Sequence, residues 1–265
     1  MWSIVIPAYN EEGRIGQVLA NLSVLPVDHL IVIANGCQDG TVEEVRRFRD
    51  ERLDLRVFEQ KLGVDVPRAV GAKIAYEYRS QGVLFVDGDM TGNFTGVLLQ
   101  LMERITDGWD MALLNCYPVI PYRPRDSLSQ LITYFRAKLN RKLNLFDKLG
   151  IASPSHGPHA LSRRLLESVP FRELAVPPVS LVLARQAGLQ IGVAAGIPHR
   201  ELQSKTGDAR HWELTAQTII GDCLEALCLL EGKPRSRLCH GVEMLGYHPE
   251  RNWELLQAFL DSYRS

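Results

Sequence analysis

Apolar residues in roughly the first hundred positions fall into two alternating patterns. Short apolar runs at Ser3 to Ile6, Leu30 to Ile33, Leu53 to Phe58 and Val83 to Val86 predict β-strands, and a fifth is expected over Met111 to Tyr117. Between them, apolar residues recur at three- and four-residue steps. Glu11 to Leu22 carries Ile15, Val18, Leu19 and Leu22, and Arg68 to Tyr78 carries Ala72, Ala75 and Tyr76; both predict helices with one face against a sheet. Thr41 to Asp50 opens with Glu43 and Glu44 and closes with Arg46, Arg47 and Arg49, the order of charge that suits a helix dipole. Parallel strands need crossover connections, so this alternation predicts an α/β fold with a mostly parallel sheet flanked by helices.

The pattern changes at Pro118, Pro121 and Pro124, which continue neither strand nor helix. Residues 126–146 then predict one amphipathic helix. Leu128, Leu131, Ile132, Phe135, Leu139 and Leu143 line one side, and Arg136, Lys138, Arg141 and Lys142 form a basic face. A loop at Ser153 to Pro158, a helix from His159 to Ser168, a helix over 179–187 and a strand near Ile191 to Ala195 are expected next. Helices near 212–231 and 250–263 form a helical C-terminal extension. The chain is read as one domain of two halves, 1–118 and 119–265.

Composition narrows the class. In 265 residues, 46% are hydrophobic and 23% charged, which describes a folded globular chain. The most apolar stretch, Val179 to Ile197, is broken by Arg185, Gln186 and Gln190 and does not suit a membrane span. A formal charge of −1 argues against nucleic acid as a partner. Five cysteines without a C-x-x-C pair suit neither a disulfide framework nor a zinc knuckle, so a cytoplasmic setting is expected. The N-terminus runs directly into Ile4-Val5-Ile6 and no leader peptide is expected. The basic face of 126–146 suggests peripheral contact with the inner face of a membrane, against the plainer reading of a solvated face.

The chemistry centres on Asp87-Gly88-Asp89, which follows the buried run Val83 to Val86. Such a pattern arises about once by chance in a chain of this size, so its position matters more than its letters. Ligands of open α/β sheets bind at the carboxyl ends of strands, and hard carboxylate oxygens there suit Mn2+ or Mg2+ bridging two phosphates. Gly88 would let a diphosphate approach the backbone. The alternative is a pair of solvated turn carboxylates. Other strand ends are polar as well. The first runs into Pro7-Ala8-Tyr9-Asn10-Glu11-Glu12, where Asn10 suits a helix cap and Tyr9 offers a flat face for a base. The second runs into Asn35-Gly36-Cys37-Gln38-Asp39-Gly40-Thr41.

These segments, together with Gly63 and Arg68-Ala69-Val70-Gly71, resemble in order the motifs of the family 2 glycosyltransferases of the GT-A fold; the likeness is strongest over residues 2–92. The resemblance implies a nucleotide-diphosphate sugar donor, UDP- or GDP-linked. It implies that Pro7, Ala8, Tyr9 and Glu11 contact the nucleoside, and that Asn35, in a loop with Asp39, stands where an Asp usually meets the base. Arg68 would lie near the donor, Asp87 would touch ribose or donor, and Asp89 would hold the metal. His199 resembles a further metal ligand, with His211 competing for that role. Taken singly, Glu11 reads as a first-turn acid, Arg68 as a surface charge and Tyr9 as core.

The acceptor half is less defined. Ser155 to Arg164 resembles the family's acceptor-side loop, but where many members carry a Glu-Asp pair this chain reads Val176-Pro177-Pro178-Val179. An inverting transfer profits from a base near the acceptor hydroxyl, and Glu173, His156 and His159 are the candidates. The alternatives are a retaining transfer with no protein base, or a catalytically degenerate module that only binds nucleotide-sugar. The acceptor is open: glycan, small molecule or lipid-linked.

Overall fold

The computed structural model describes residues 1–118 and 126–263. Seven strands form one sheet: β1 (Trp2–Ala8), β2 (His29–Asn35), β3 (Leu53–Phe58), β4 (Gly82–Phe85), β5 (Met111–Asn115), β6 (His159–Ser162) and β7 (Ile191–Gly196). Their order is β3-β2-β1-β4-β6-β5-β7, with β6 antiparallel to both neighbours and the other pairs parallel. Chain order reverses between β1 and β4, which places a crevice at the carboxyl ends of those two strands.

Alternate residues of each strand enter two different cores. Val5, Ile31, Ile33, Val83 and Phe85 face α3 (Val66–Glu77), α5 (Ser127–Lys142), α8 (Pro177–Gln186) and α9 (Ala209–Leu230). Ile4, Ile6, Leu30, Val32 and Leu84 face α1 (Ile15–Ser23) and α4 (Thr95–Thr106). Burial on both faces is why these strands read as continuous apolar runs. Helix α4, with Leu98, Leu101, Met102 and Ile105 buried, is an element that the periodicity reading passed over.

Helix α3 lies close enough to β1 that a β-carbon at Gly71 would come within 2.2 Å of Val5 Cγ1. Gly71→Ala would gain ~1 kcal/mol of helix propensity, but overpacking at that distance costs more, up to ~3 kcal/mol. The expected outcome is a net loss of about 1–2 kcal/mol, read as a lower urea midpoint; an unchanged midpoint would contradict the close packing.

Several expectations need correction. Residues 159–168 form a strand and then a helix: His159–Ser162 is β6, and Ser162 Oγ caps α7 (Arg163–Ser168) by accepting from Leu165 N at 3.1 Å. A four-residue buried run looks alike in either state. The helix expected from Glu11 starts only at Ile15, because Asn10 and Gly13 adopt left-handed φ values of 55° and 77°. Asn10 does not cap it; its Oδ1 accepts from Gln38 N at 2.8 Å in the loop after β2. The helix over 126–146 ends at Lys142 and is followed, after Asn144 at φ 56°, by α6 (Phe146–Leu149).

The supposed basic face is also interrupted, since Arg136 points inward and is only 2% exposed. Lys138 lies 5.9 Å from the Tyr134 ring, Arg141 4.1 Å from the Phe146 ring, and Lys142 pairs with Glu231 at 3.4 Å. Among the described residues no helix is long and apolar enough to cross a membrane. Pro121 and Pro124 lie outside the described residues.

Candidate functional site

The loops after β1, β2 and β4 meet at the crevice and are tied to each other by their own polar groups. Asp39 is bonded by Thr41 Oγ1 (2.5 Å), Thr41 N (3.0 Å) and Glu12 N (3.1 Å), which hold its carboxyl below its ordinary range against a burial effect that works the other way. Thr41 Oγ1 in turn accepts from Glu11 N at 2.7 Å. Asn35 is buried, and both ends of its amide are engaged by backbone: Oδ1 accepts from Leu62 N at 2.5 Å and Nδ2 donates to Gly63 O at 3.2 Å. It clamps the loop after β3. Pro7 and Ala8 close β1, and Tyr9 stands 40% exposed at the edge with Lys61 Nζ 4.4 Å from its ring centre, so it is not core.

Gly88 sits against β1. Its N–H donates to Pro7 O at 2.9 Å, and a β-carbon there would meet that same oxygen at 2.9 Å. The glycine is thus required by packing of the strand ends. Arg68 is no surface charge: its side chain is 15% exposed and pairs with both Asp87 and Asp65. Burial opposes its charge, but the two carboxylates raise its pKa above the usual value.

Asp89 is held by Arg14 and Lys205. Arg14 donates to its carbonyl from Nε (3.2 Å) and Nη2 (2.7 Å), and Lys205 N donates to its Oδ2 at 2.9 Å. Lys205 Nζ reaches Asn10 O at 2.9 Å, so the segment after β7 lies over the β1 loop. Beside it Glu11 is half-buried, with Oε2 buried and unpartnered. Burial, and then repulsion from Asp89, raise the Glu11 pKa to about 7. An oxygen-rich pair of carboxylates with one orphaned oxygen fits a hard divalent cation.

The histidines divide. His199 opens a short 3-10 helix (His199–Leu202) and its Nδ1 lies 3.2 Å from His156 Nε2. With Cys116 they place a thiol and two imidazoles within 4.8 Å of one another; among the described residues, neither this trio nor the other close set, Asp222, Glu225 and His248, includes Asp89. His211, the competitor, bonds Tyr247 through Nδ1 at 2.8 Å. His159 lies inside β6, stacked 4.9 Å from Phe85, and burial pushes its pKa down to about 3. Burial likewise takes His156 well below its ordinary value, aided by Arg136 and His199. Glu173 pairs with Arg235 at 2.9 Å, and Phe171 of the same 3-10 turn packs on Tyr76. That ring is eight residues along α3 from Arg68, about 12 Å by helical rise.

Behind Arg68 lies a buried charge network that the family motifs do not include. Asp65, in a left-handed conformation at φ 61°, joins Arg68 to Arg251, and Arg251 joins Asp222, which with Glu225 also holds Arg237. The signal was present: Asp222 and Glu225 are acids one turn apart in the otherwise apolar stretch Thr218 to Leu230.

The family model for Glycosyl transferase family 2 matches residues 3–169. The chain belongs to that family. An uncharacterized relative of this family 2 chain from Methanocaldococcus jannaschii is 26% identical over 110 residues, covering 42% of the chain and 44% of the relative, so the match spans under half of either. Among solved structures, glucosyl-3-phosphoglycerate synthase of Mycobacterium tuberculosis, in complex with Mn2+, UDP and glucosyl-3-phosphoglycerate, shares 20% identity with a TM-score of 0.65, over 90% of this chain and 82% of that one. The same synthase with Mn2+, UDP-glucose and phosphoglyceric acid gives 20% and 0.60 over the same shares. A further mycobacterial protein gives 22% and 0.64, over 93% and 82%. At these identities the likeness establishes the fold, which is GT-A.

Proposed function

We propose that this family 2 chain transfers a sugar from a UDP- or GDP-linked donor to an acceptor hydroxyl, with a divalent cation, Mn2+ or Mg2+, at Asp89. The observation that carries the reading is the convergence of Glu11, Arg68, Asp87 and Asp89 at the crevice between β1 and β4, the place where a parallel sheet of this order binds nucleotides. Residues 1–118 then serve as the donor half and 119–265 as the acceptor half of one domain.

In this reading Tyr9 and the β1 loop hold the nucleoside, with Asn35 and Asp39 keeping the neighbouring loops in register. Glu11 lends Asp89 a second carboxylate, a role different from the nucleoside contact that the resemblance implies. His199 would be a further ligand to that cation. The bound cation would supply electrostatic stabilisation of the diphosphate leaving group. Arg68, fixed by Asp65, orients Asp87 toward the donor.

No carboxylate occupies the start of α8, where Val176, Pro177, Pro178 and Val179 are all buried. Glu173 is paired, His159 is enclosed in the sheet, and His156 lies against His199 with burial holding its pKa well below the ordinary value, so we read the transfer as retaining, with the departing diphosphate taking the acceptor proton.

Thermal-shift titration with UDP-, GDP- and other nucleotide-sugars, with Mn2+ and then with EDTA, tests the donor. A metal-dependent rise in melting temperature is expected for one base, with slow release of the nucleoside diphosphate. No stabilisation by any donor would overturn the reading, and tight binding without release would favour a degenerate module. With an acceptor found, the anomeric signal of the product in proton NMR is expected to show retention; inversion would return the base role to His156.

A further inference from the structure

Buried guanidinium groups in this chain come with carboxylates: Arg68 has Asp65 and Asp87, Arg237 has Asp222 and Glu225, and Arg251 has Asp65 and Asp222. Arg136 does not. It projects inward from α5 at 2% exposure, its Nη2 donates to Ser155 Oγ at 3.2 Å, and its Nε is buried without any partner. Among the described residues it forms no ion pair, and Ser155 Oγ is the side-chain acceptor it meets. A cation in a low-dielectric interior without a counter-charge is strongly disfavoured, and a planar guanidinium with a free N–H edge is built to receive an oxyanion.

Two serine hydroxyls lie beside Arg136. Ser153 Oγ and Ser155 Oγ lie 3.0 Å apart, and the loop that carries them runs straight into β6, whose His159 pairs with Phe85 two residues before Asp87. Gly157, at φ 73°, seats that loop against Cys116, since a β-carbon would lie 2.7 Å from its Sγ. The groups shown to feel the charge of Arg136, Cys116, His156 and Cys223, are thiols and an imidazole, none of them an acid that would repel an incoming negative charge. The hydroxyls and the guanidinium therefore share a positively charged corner without a counter-charge, in the loop that leads into β6.

We propose that Arg136, assisted by Ser153 and Ser155, binds a carboxylate or phosphate group carried by the sugar acceptor, so that the acceptor is an anionic hydroxy compound. This rests on the glycosyltransferase reading. The same oxyanion chemistry has a second source, the diphosphate of the donor, and the test separates the two.

Wild type, Arg136→Gln and Arg136→Lys are compared by thermal shift and calorimetry. One arm uses glycerol 3-phosphate and glycerate, with uncharged glycerol as control; the other uses UDP with Mn2+. Saturable stabilisation of wild type by the two anions but not by glycerol is expected. Arg136→Gln is expected to weaken the anion half-saturation at least ~10-fold, in keeping with loss of a charge-assisted pair, while UDP with Mn2+ stays within about twofold.

Arg136→Lys, which keeps the charge but loses the planar fork, is expected to fall between them. Anion binding by Arg136→Gln equal to wild type would overturn the proposal. A loss confined to UDP with Mn2+ would assign Arg136 to the donor diphosphate and overturn it too. If the glutamine variant does not fold, the lysine variant carries the test, and a half-saturation unchanged from wild type overturns the proposal. Failure of wild type to respond to any nucleotide with metal, with anion binding intact, sinks the glycosyltransferase reading instead and leaves an anion site.

Discussion

Arg251→Met is expected to lower the unfolding free energy by about 3–5 kcal/mol, the range for removing one partner of a buried ion pair. The Arg251 side chain is 0% exposed. Its Nη1 and Nη2 meet the two oxygens of Asp222 at 2.8 and 2.7 Å, Nη2 also reaches Asp65 at 3.3 Å, and Nε donates to Val64 O at 3.2 Å. Methionine fills similar volume but leaves two buried carboxylates with a single remaining guanidinium each. Exposed pairs behave otherwise: Lys61 with Glu250, at 39% and 42% exposure, contributes under ~1 kcal/mol. Urea unfolding decides the matter, and a loss below ~1 kcal/mol would mean that the network is not what fixes the C-terminal segment. Nucleotide affinity supplies a second readout, because Asp65 is shared with Arg68 and its release alters how Arg68 holds Asp87.

That network marks the limit of what could be read from the chain alone. Strands such as Ile4 to Ile6 and Val83 to Val86 are legible because burial on both faces leaves an unbroken apolar run. The motifs at Tyr9, Asp39 and Asp87 are legible because they lie in the loops that follow such runs, whereas Arg68 lies inside α3 and is marked by the family pattern alone. β6 was misread because four buried residues carry no period long enough to separate strand from helix.

Long-range partnership is harder still. Asp65 and Arg251 are 186 residues apart, and Lys205 meets Asn10 across 195. Nothing local in either segment names the other. The basic neighbours at 138, 141 and 142 suggest an outer face for Arg136 as well. Position along the helix sets its direction, and α5 buries Ile132, Phe135, Arg136 and Leu139 together.

Asp89→Ala is expected to weaken metal-dependent nucleotide binding at least ~100-fold, or ~2.7 kcal/mol, because it removes the charged oxygen that Lys205 N marks and leaves Glu11 as the only carboxylate of the pair. Glu11 makes the binding depend on pH. Its folded pKa of about 7 lies above the ordinary 4.5, so without metal the folded chain holds more protons between those values than the unfolded one. The stability from this group is therefore fully present below pH 4.5 and is lost as pH rises through 7. Metal needs the ionised form, so binding expels that proton. Apparent affinity for Mn2+ with UDP is expected to climb from pH 5.5 to about 7, by up to ~10-fold per unit, and then to level off. Glu11→Gln is expected to flatten the profile and to bind more weakly above pH 7. Calorimetry in two buffers of different ionisation enthalpy counts the released proton directly. A wild-type profile as flat as that of Glu11→Gln would remove Glu11 from the metal site and leave Asp89 to hold the cation with the diphosphate alone.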